Sequence, residues 1–568
     1  MTNTGIFQLV AYCLIILPLA VLFGGYIAKI FLGEKTLLSC LLQPVEKAIY
    51  KICGIDSKAE HGWVAYATAM LVFNFIGFVA LFAGLMLQNI LPLNPMGFSG
   101  IDSALAFNTA VSFVTNTNWQ AYSGEGTMSY FSQMAGLNVQ NFLSAATGIA
   151  LLIAMIRAIA RSGGNTIGNF YVDVTRCVVY ILLPLAIFGA IFLIWQGVPQ
   201  NFNNYAQVQT LEGATQIIPQ GPVASQVAIK QIGTNGGGFF GSNSAHPYEN
   251  PNPVSNLLQI IFMLLIPVSL PFAYGKMLKD KRQGWSIFAA MAVLFVVGLV
   301  VAYHMENKVN PELAAYGITS NMEGKEVRFG TPASIFWSVA TTATSSGSVN
   351  SVHDSFMPLS GMVQIVNIML GEVVFGGVGS GLYGMMIFII VTVFIAGLMV
   401  GRTPEYMGKK IEAREIKLAI LAMLTVPVGV LGVGAVSILV PEGAASITAT
   451  GAHGLTQFLY AHASATGNNG SSFSGFNANT TYHNIALAIE MLIGRFLYII
   501  PMLGIAGSLV KKNPVPESSG TFPTYGLQFV GLLVGIVVIV GGLTFFPVLV
   551  IGPGLEHLLM VKYPGAVE

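Results

Sequence analysis

The sequence predicts an all-α polytopic membrane protein of about ten transmembrane helices, with four pseudo-symmetric helix–pore-loop–helix repeats in one chain. Three observations carry that reading. Of 568 residues, 54% are hydrophobic and only 9% charged, and the mean hydropathy is +0.70, whereas a soluble domain carries about 25% charged residues. The apolar runs are long enough to cross a membrane. Four segments between those runs resemble one another, each ending in a short string of Thr, Ser or Asn with glycine. The apolar content also excludes disorder. With 25 basic and 24 acidic residues, no overall basic patch exists for nucleic acid, and none is expected as a partner.

The first run, Ile6 to Ala28, is too long for the core of a signal peptide and has no basic stretch before it. It reads as a retained span. A helix needs about 20 apolar residues to cross the hydrocarbon core. Candidate spans are 6–28, 63–90, 137–160, 174–197, 254–275, 284–304, 361–401, 416–440, 482–509 and 525–551. The run 361–401 is about twice the length that one crossing needs.

Charge decides how often that run crosses. If it crosses once and the N-terminus lies outside, 19 of the 25 Lys and Arg residues fall on the cytoplasmic side. Two crossings would export the cluster from Arg402 to Lys417, against the positive-inside rule. A single crossing by so long a segment requires an interruption. Gly371, Gly376, Gly377, Gly379, Gly381 and Gly384 place it around 371–384. Broken backbone at membrane depth is tolerated only where protein or a wet cavity covers it. Close helix packing is the other use of such glycines. On this topology Cys13, Cys40, Cys53 and Cys177 lie in a span or on the cytoplasmic side, so disulfides are not expected.

The four repeated segments end in Thr115-Asn116-Thr117, Thr234-Asn235-Gly236, Ser345-Ser346-Gly347 and Asn468-Asn469-Gly470. Thirteen or fourteen residues upstream stand Asp102, Gly221, Thr331 and Gly454, all of them N-cap types, and Pro222 and Pro332 suit a first helical position. Each unit reads as a cap, a helix of about 11–12 residues, too short to span, and a polar loop. Such a helix re-enters from outside with its C-terminal end aimed at mid-membrane. That end carries roughly half a negative charge and favours a cation. Loop carbonyls are the oxygens that a dehydrated cation coordinates, and glycine lets successive carbonyls turn inward. The first and fourth loops, 91–136 and 441–481, contain no Lys or Arg.

These segments resemble the KdpA family, the potassium-binding, channel-like subunits of bacterial Kdp potassium-transporting P-type ATPase complexes, related to Trk/Ktr/HKT transporters. The residues that carry the resemblance are Phe113-Val114-Thr115-Asn116-Thr117-Asn118-Trp119-Gln120 and Gly233-Thr234-Asn235-Gly236-Gly237-Gly238-Phe239-Phe240, with His246-Pro247. Two further strings are Gly371-Glu372-Val373-Val374-Phe375-Gly376-Gly377-Val378-Gly379-Ser380-Gly381 and Gly401-Arg402-Thr403-Pro404-Glu405-Tyr406. The resemblance implies an ion filter at Thr115, Asn116, Thr117, Thr234, Asn235, Gly236, Ser345, Ser346, Gly347, Asn468, Asn469 and Gly470. Gln120 then matches a position that influences potassium affinity. It also implies the bacterial inner membrane, a P-type ATPase catalytic partner, small accessory membrane subunits, and lipid. Potassium is then cargo, and no cofactor is expected.

On this reading the chain divides into an N-terminal span and loop (1–61), pore repeats at 62–161, 172–280, 281–410 and 411–512, and a C-terminal span (513–568). Pattern alone leaves open a stand-alone channel or ion-gradient-driven transporter; the Kdp-like strings favour an ATPase subunit. No Walker motif or Asp-Lys-Thr-Gly string occurs, so this chain is not expected to spend ATP alone. A membrane enzyme is disfavoured for want of a nucleophile–base set. Residues 379–384 fit G-x-G-x-x-G, but inside an apolar run and without a βαβ unit they do not read as a nucleotide site.

Glu372, Glu490 and Arg495 are ionisable residues within spans, where charge is costly and faces a cavity or a partner. A structural salt bridge is one reading. The other is a gate at Glu372 with Gly376, Gly377 and Gly379, and a positive barrier at Arg495 below the ion site. His246, His353 and His483 read as loop hydrogen-bond partners rather than metal ligands.

Overall fold

The computed structural model describes residues 3–516 and 522–562. Residues 1–2, 517–521 and 563–568, parts of the first and last expected units, lie outside the described residues. Among the described residues ten helices are long and apolar enough to span a membrane: Thr4–Leu32, Trp63–Met86, Ser132–Ala160, Phe170–Trp195, Pro253–Met277, Lys281–Glu306, Ser380–Val400, Ala413–Leu439, Thr481–Leu509 and Leu527–Lys562. The chain is thus a multi-pass membrane protein. Its third and fifth spans are buried along most of their length, while the first and tenth expose most of theirs. Phe7, Leu14 and Leu22 project outward from the first span, where acyl chains would solvate them.

Several spans extend beyond their hydropathy limits because the backbone continues through π-helical turns. One such turn, Ser132–Asn138, opens the third span, and another, Val550–Gly554, kinks the tenth at Gly552. Spans approach closely where glycine removes a side chain. A Cβ added at Gly24 would fall 2.5 Å from Ser269 O, which seats the first span on the fifth.

The seventh span is interrupted. Helix Pro358–Met369 ends, residues 370–379 are non-helical, and Ser380–Val400 resumes. The turn uses left-handed backbone at Gly371 (φ 77°), Glu372 (50°), Phe375 (49°) and Gly379 (91°). The interruption is shorter than the glycines predict. Gly381 and Gly384 lie inside the resumed helix, and their role is packing: a Cβ at Gly381 would lie 2.3 Å from Gly376 Cα, and one at Gly384 3.1 Å from Val373 Cγ1.

Among the short helices between consecutive spans, four precede the expected polar loops: Ser103–Val114, Val223–Ile232, Gly330–Ala343 and Gly451–Gly467. The first is capped as expected, Asp102 Oδ2 accepting from Ala104 N at 3.0 Å. The other three caps differ from expectation. Pro222 occupies the cap rather than the first turn, and Gly221 precedes it. There the free Val223 and Ala224 amides donate to Pro199 O at 3.1 and 3.0 Å, a carbonyl from the preceding loop. Thr331 lies inside a helix that already begins at Gly330. Gly454 lies inside a helix of 17 residues capped at Thr450; its missing side chain admits Ala449 O, 2.3 Å from where a Cβ would sit.

Candidate ion-binding site

Each short helix ends in a loop, and main-chain hydrogen bonds fix how the four loops correspond. Thr117 N donates to Ser112 O, Asn235 N to Lys230 O, Ser346 N to Thr341 O and Asn469 N to Ser464 O, at 2.9, 2.9, 3.0 and 2.9 Å. The residue before each donor is left-handed: Asn116 (φ 66°), Thr234 (45°), Ser345 (57°) and Asn468 (60°). A left-handed residue other than glycine costs on the order of 1–3 kcal/mol and persists where surrounding structure imposes it. Here it recurs four times at one position.

This correspondence moves the first loop by one residue. Its counterpart of Thr234-Asn235-Gly236 is Asn116-Thr117-Asn118, with Asn118 (φ 52°) standing where the other loops carry Gly236 (78°), Gly347 (69°) and Gly470 (94°). Thr115 is the C-cap of its helix. Its hydroxyl lies 2.9 Å from Val111 O and 2.7 Å from Thr117 Oγ1.

The loops close a ring in chain order. A Cβ at Gly236 would fall 2.0 Å from Ser346 O, one at Gly347 2.0 Å from Asn469 O, and one at Gly470 2.0 Å from Thr117 O. These three junctions therefore need glycine. At the fourth, Asn118 keeps its side chain, and loop two supplies a second glycine. A Cβ at Gly237 would lie 3.3 Å from Asn118 Cβ. Asn118 Nδ2 donates to Gly236 O at 3.2 Å, and Asn116 Nδ2 to Thr234 O at 3.1 Å. Asn468 Nδ2 reaches Thr117 Oγ1 at 3.0 Å, and Ser345 Oγ reaches Asn468 O at 3.1 Å. Gln120 braces the outer part of the same junction: Gly238 N donates to its Oε1 at 2.9 Å and its Nε2 donates to Gly238 O at 3.1 Å.

Around this ring Asn118 Oδ1, Asn235 Oδ1 and Ser346 Oγ are buried without a hydrogen-bond partner. An unpaired buried polar atom costs about 1–3 kcal/mol, and a cation or water beside it relieves that. Among the described residues no group of three or more His, Cys, Asp or Glu side chains is placed to hold a metal. The chemistry available at the ring is that of neutral oxygens and helix C-termini, which suits a weakly charged, dehydrated cation.

The interruption of the seventh span touches three of the four loops. Val378 N donates to Thr234 Oγ1 at 3.1 Å. A Cβ at Gly377 would lie 3.2 Å from Ser345 Cβ. Asn469 Nδ2 donates to Glu372 Oε1 at 2.7 Å. Gly376 lies on the interruption's own backbone, a Cβ there meeting Glu372 O, and Gly379 abuts the third span at Gly148, whose carbonyl would lie 2.0 Å from an added Cβ. Arg495, in a π-helical turn of the ninth span, approaches the same stretch. Its Nη2 is 3.4 Å from Ser144 O and would lie 3.5 Å from a Cβ at Gly148. Glu490 belongs elsewhere, bonded to His462 Nδ1 at 2.6 Å in the fourth repeat.

The three loop histidines make loop and helix contacts. His246 Nδ1 accepts from Tyr248 N at 3.1 Å, His353 Nδ1 lies 2.9 Å from Tyr460 Oη, and His483 Nε2 lies 3.1 Å from Gly443 O. Two residues at the ring escape sequence reasoning: Asn118, masked by the apparent Thr/Asn alignment, and Lys230, which the topology only counts among the outside basic residues and which is fully buried. Lys230 had one legible signal, its position on the short helix five residues before Asn235.

Four short helices whose loops meet in a ring, together with ten long apolar helices among the described residues, place the chain in the class of multi-pass membrane transport proteins. The fold is similar to that of the potassium transporter TrkH from Vibrio parahaemolyticus, with a TM-score of 0.52 at 14% identity, over 85% of this chain and 97% of that one. Residues 10–558 match the family model of the potassium-transporting ATPase A subunit, KdpA, and the chain belongs to that family. It is 55% identical over 561 residues to a potassium-transporting ATPase potassium-binding subunit from Rhodospirillum centenum, covering 98% of each chain. Subunits of the same description from Solibacter usitatus and Brucella anthropi are 56% and 53% identical, each over 99% of both chains.

Proposed function

We propose that this chain is the potassium-selective binding and translocation subunit of an ATP-driven uptake complex in the bacterial inner membrane. Its N-terminus lies outside, and potassium enters from the outside through the ring of four loops. The ion binds among the carbonyls and side-chain oxygens of 115–118, 234–236, 345–347 and 468–470, in the repeats 62–161, 172–280, 281–410 and 411–512. It then passes to a P-type ATPase subunit, which hydrolyses the ATP, with small accessory membrane subunits and lipid completing the assembly.

The observation that carries this reading is the closed ring, in which three glycines each abut the next loop's carbonyl within the distance of one missing side chain. Membership of the KdpA family supports potassium as the cargo and an ATPase as the partner. The segment 370–379 beneath the ring supports an obstructed path, which a pump requires so that ions do not run back down their gradient. The chain purified alone is expected to show no potassium-stimulated ATP hydrolysis, and to recover it when assembled with its partner subunits. Robust hydrolysis by the lone chain, or a steady potassium current through it, would favour a self-sufficient enzyme or channel and overturn this assignment.

A further inference from the structure

A lysine is an unexpected neighbour for a cation site, and Lys230 is one. It lies on the second short helix, fully buried, with its main-chain carbonyl accepting from Asn235 N in the adjoining loop. Its ammonium donates to Gly237 O at 2.9 Å, Asn243 Oδ1 at 2.6 Å and Glu249 Oε2 at 2.5 Å. Gly237 is the residue after Gly236 and the one that faces Asn118. Asn243 Nδ2 donates to the same Gly237 carbonyl. Glu249 is also fully buried, and its other oxygen accepts from Phe240 N at 3.0 Å. Three side chains thus hold the backbone from Gly237 to Phe240.

The other repeats show what the lysine does. The carbonyl one residue past the triplet is tied back to the short helix in each of the first three loops. Ser112 Oγ donates to Trp119 O at 3.0 Å in the first, Lys230 Nζ to Gly237 O in the second, and Trp337 Nε1 to Ser348 O at 2.7 Å in the third. Ser112 and Lys230 occupy the same helical position, since each main-chain carbonyl accepts the equivalent loop amide. In the fourth repeat that position is Ser464, whose hydroxyl accepts from Gly470 N at 3.0 Å. The second loop, with three consecutive glycines at Gly236, Gly237 and Gly238, has the most backbone freedom to lose. It receives the longest brace and a charge-assisted bond, which is stronger than a neutral one.

We propose that Lys230 and Glu249 are positioning residues for ion selection: Lys230 holds the Gly237 carbonyl, and Glu249 cancels the lysine's charge beside the ring. This rests on the reading of the ring as the potassium site. Neither side chain is assigned contact with the ion. Because one member orients the loop and the other neutralises it, their substitutions must not add independently. Glu249→Gln leaves an uncompensated buried cation near the site. Lys230→Gln with Glu249→Gln leaves a neutral pair that retains donors.

The test is potassium-dependent ATP hydrolysis by the full complex, compared for potassium and rubidium, with Gly347→Ser as a control at the junction of the third and fourth loops. Glu249→Gln is expected to raise the half-saturating potassium concentration about tenfold or more, a change of about 1.4 kcal/mol, with little loss of maximal rate. The double variant is expected to recover most of it. A structural role alone would lower assembled complex and maximal rate without moving half-saturation or the potassium-to-rubidium ratio, and that result overturns the proposal. So does a double variant no better than Glu249→Gln. If Glu249→Gln does not assemble, Asn243→Ser, which removes one donor to Gly237 O and one acceptor of the lysine, carries the test: a shifted rubidium ratio supports the brace and an unchanged one overturns it. If Gly347→Ser also leaves the ion dependence untouched, the ring itself is misassigned; if only Gly347→Ser shifts it, the failure is confined to Lys230 and Glu249.

Discussion

Asn469 Nδ2, in the fourth loop, donates to Glu372 Oε1, in the interruption of the seventh span, at 2.7 Å. Both side chains are buried, and Glu372 is held in left-handed backbone at φ 50°. The second residue of a ring loop is therefore anchored on the segment that interrupts the seventh span. With Val378 N on Thr234 Oγ1, this makes ring and interruption one mechanical unit.

The first prediction follows from that unit. Deleting part of 374–380, or Arg495→Ala, is expected to raise passive potassium leak or to uncouple ATP hydrolysis from uptake. Glu372→Ala, which removes one of the two acceptors of Asn469 Nδ2 and leaves Thr341 O, is expected to weaken potassium affinity several-fold, in line with about 0.5–1.5 kcal/mol for one hydrogen bond. Bilayer recording and uptake by the reconstituted complex read both effects. Unchanged leak and coupling in the deletion and in Arg495→Ala would reduce these features to packing.

A second prediction concerns the glycine junctions. Gly236→Asp, Gly347→Ser and Gly470→Ser each place a Cβ about 2.0 Å from a neighbouring carbonyl, so the loops must separate. Potassium half-saturation is expected to rise by about tenfold or more, at roughly 1.4 kcal/mol per decade, with rubidium better tolerated and membrane insertion intact. The first loop supplies a sharper contrast: Asn118→Gly is expected to be tolerated better than any of these three. Uptake kinetics for both ions decide it.

Gln120 makes a third case. Its amide closes two hydrogen bonds on Gly238, so Gln120→Leu removes both and frees the outer end of the junction between loops one and two. At about 0.5–1.5 kcal/mol per hydrogen bond, a several-fold loss of potassium affinity is expected, with assembly of the complex preserved. Titration of potassium-stimulated hydrolysis measures it.

The fourth prediction is a pH dependence away from the ring. His453 stands in the first turn of the fourth short helix, outside the ten spans. Its Nε2 is 3.1 Å from Asp354 Oδ1 and its Nδ1 is 2.9 Å from Glu556 Oε1. Burial opposes its charge, but the two carboxylates outweigh burial and push it up from 6.5 to about 10. A raised pKa stabilises the fold fully below about pH 6.5 and loses that contribution as pH rises toward 10. The melting temperature of the wild type is expected to fall across this window more steeply than that of His453→Gln. Parallel curves would show that the carboxylates do not hold the imidazolium.

Hydropathy and positive charge along the chain suffice for the membrane class, the ten spans, the four short helices between them and the interruption near Gly371, because each depends on composition within one stretch. The loop strings are legible for the same reason. What the chain does not disclose locally is register and partnership. Asn118, not Thr117, takes the glycine-equivalent place because that place is defined by the amide five residues past Ser112 and by the next loop's carbonyl. Helix start points shift when a distant carbonyl, Pro199 O, satisfies the free amides of Val223 and Ala224. Glu490 pairs with His462, and Lys230 is buried against Glu249. Apart from the loop amides themselves, these are contacts between different elements, and only packing those elements together brings them within hydrogen-bond reach.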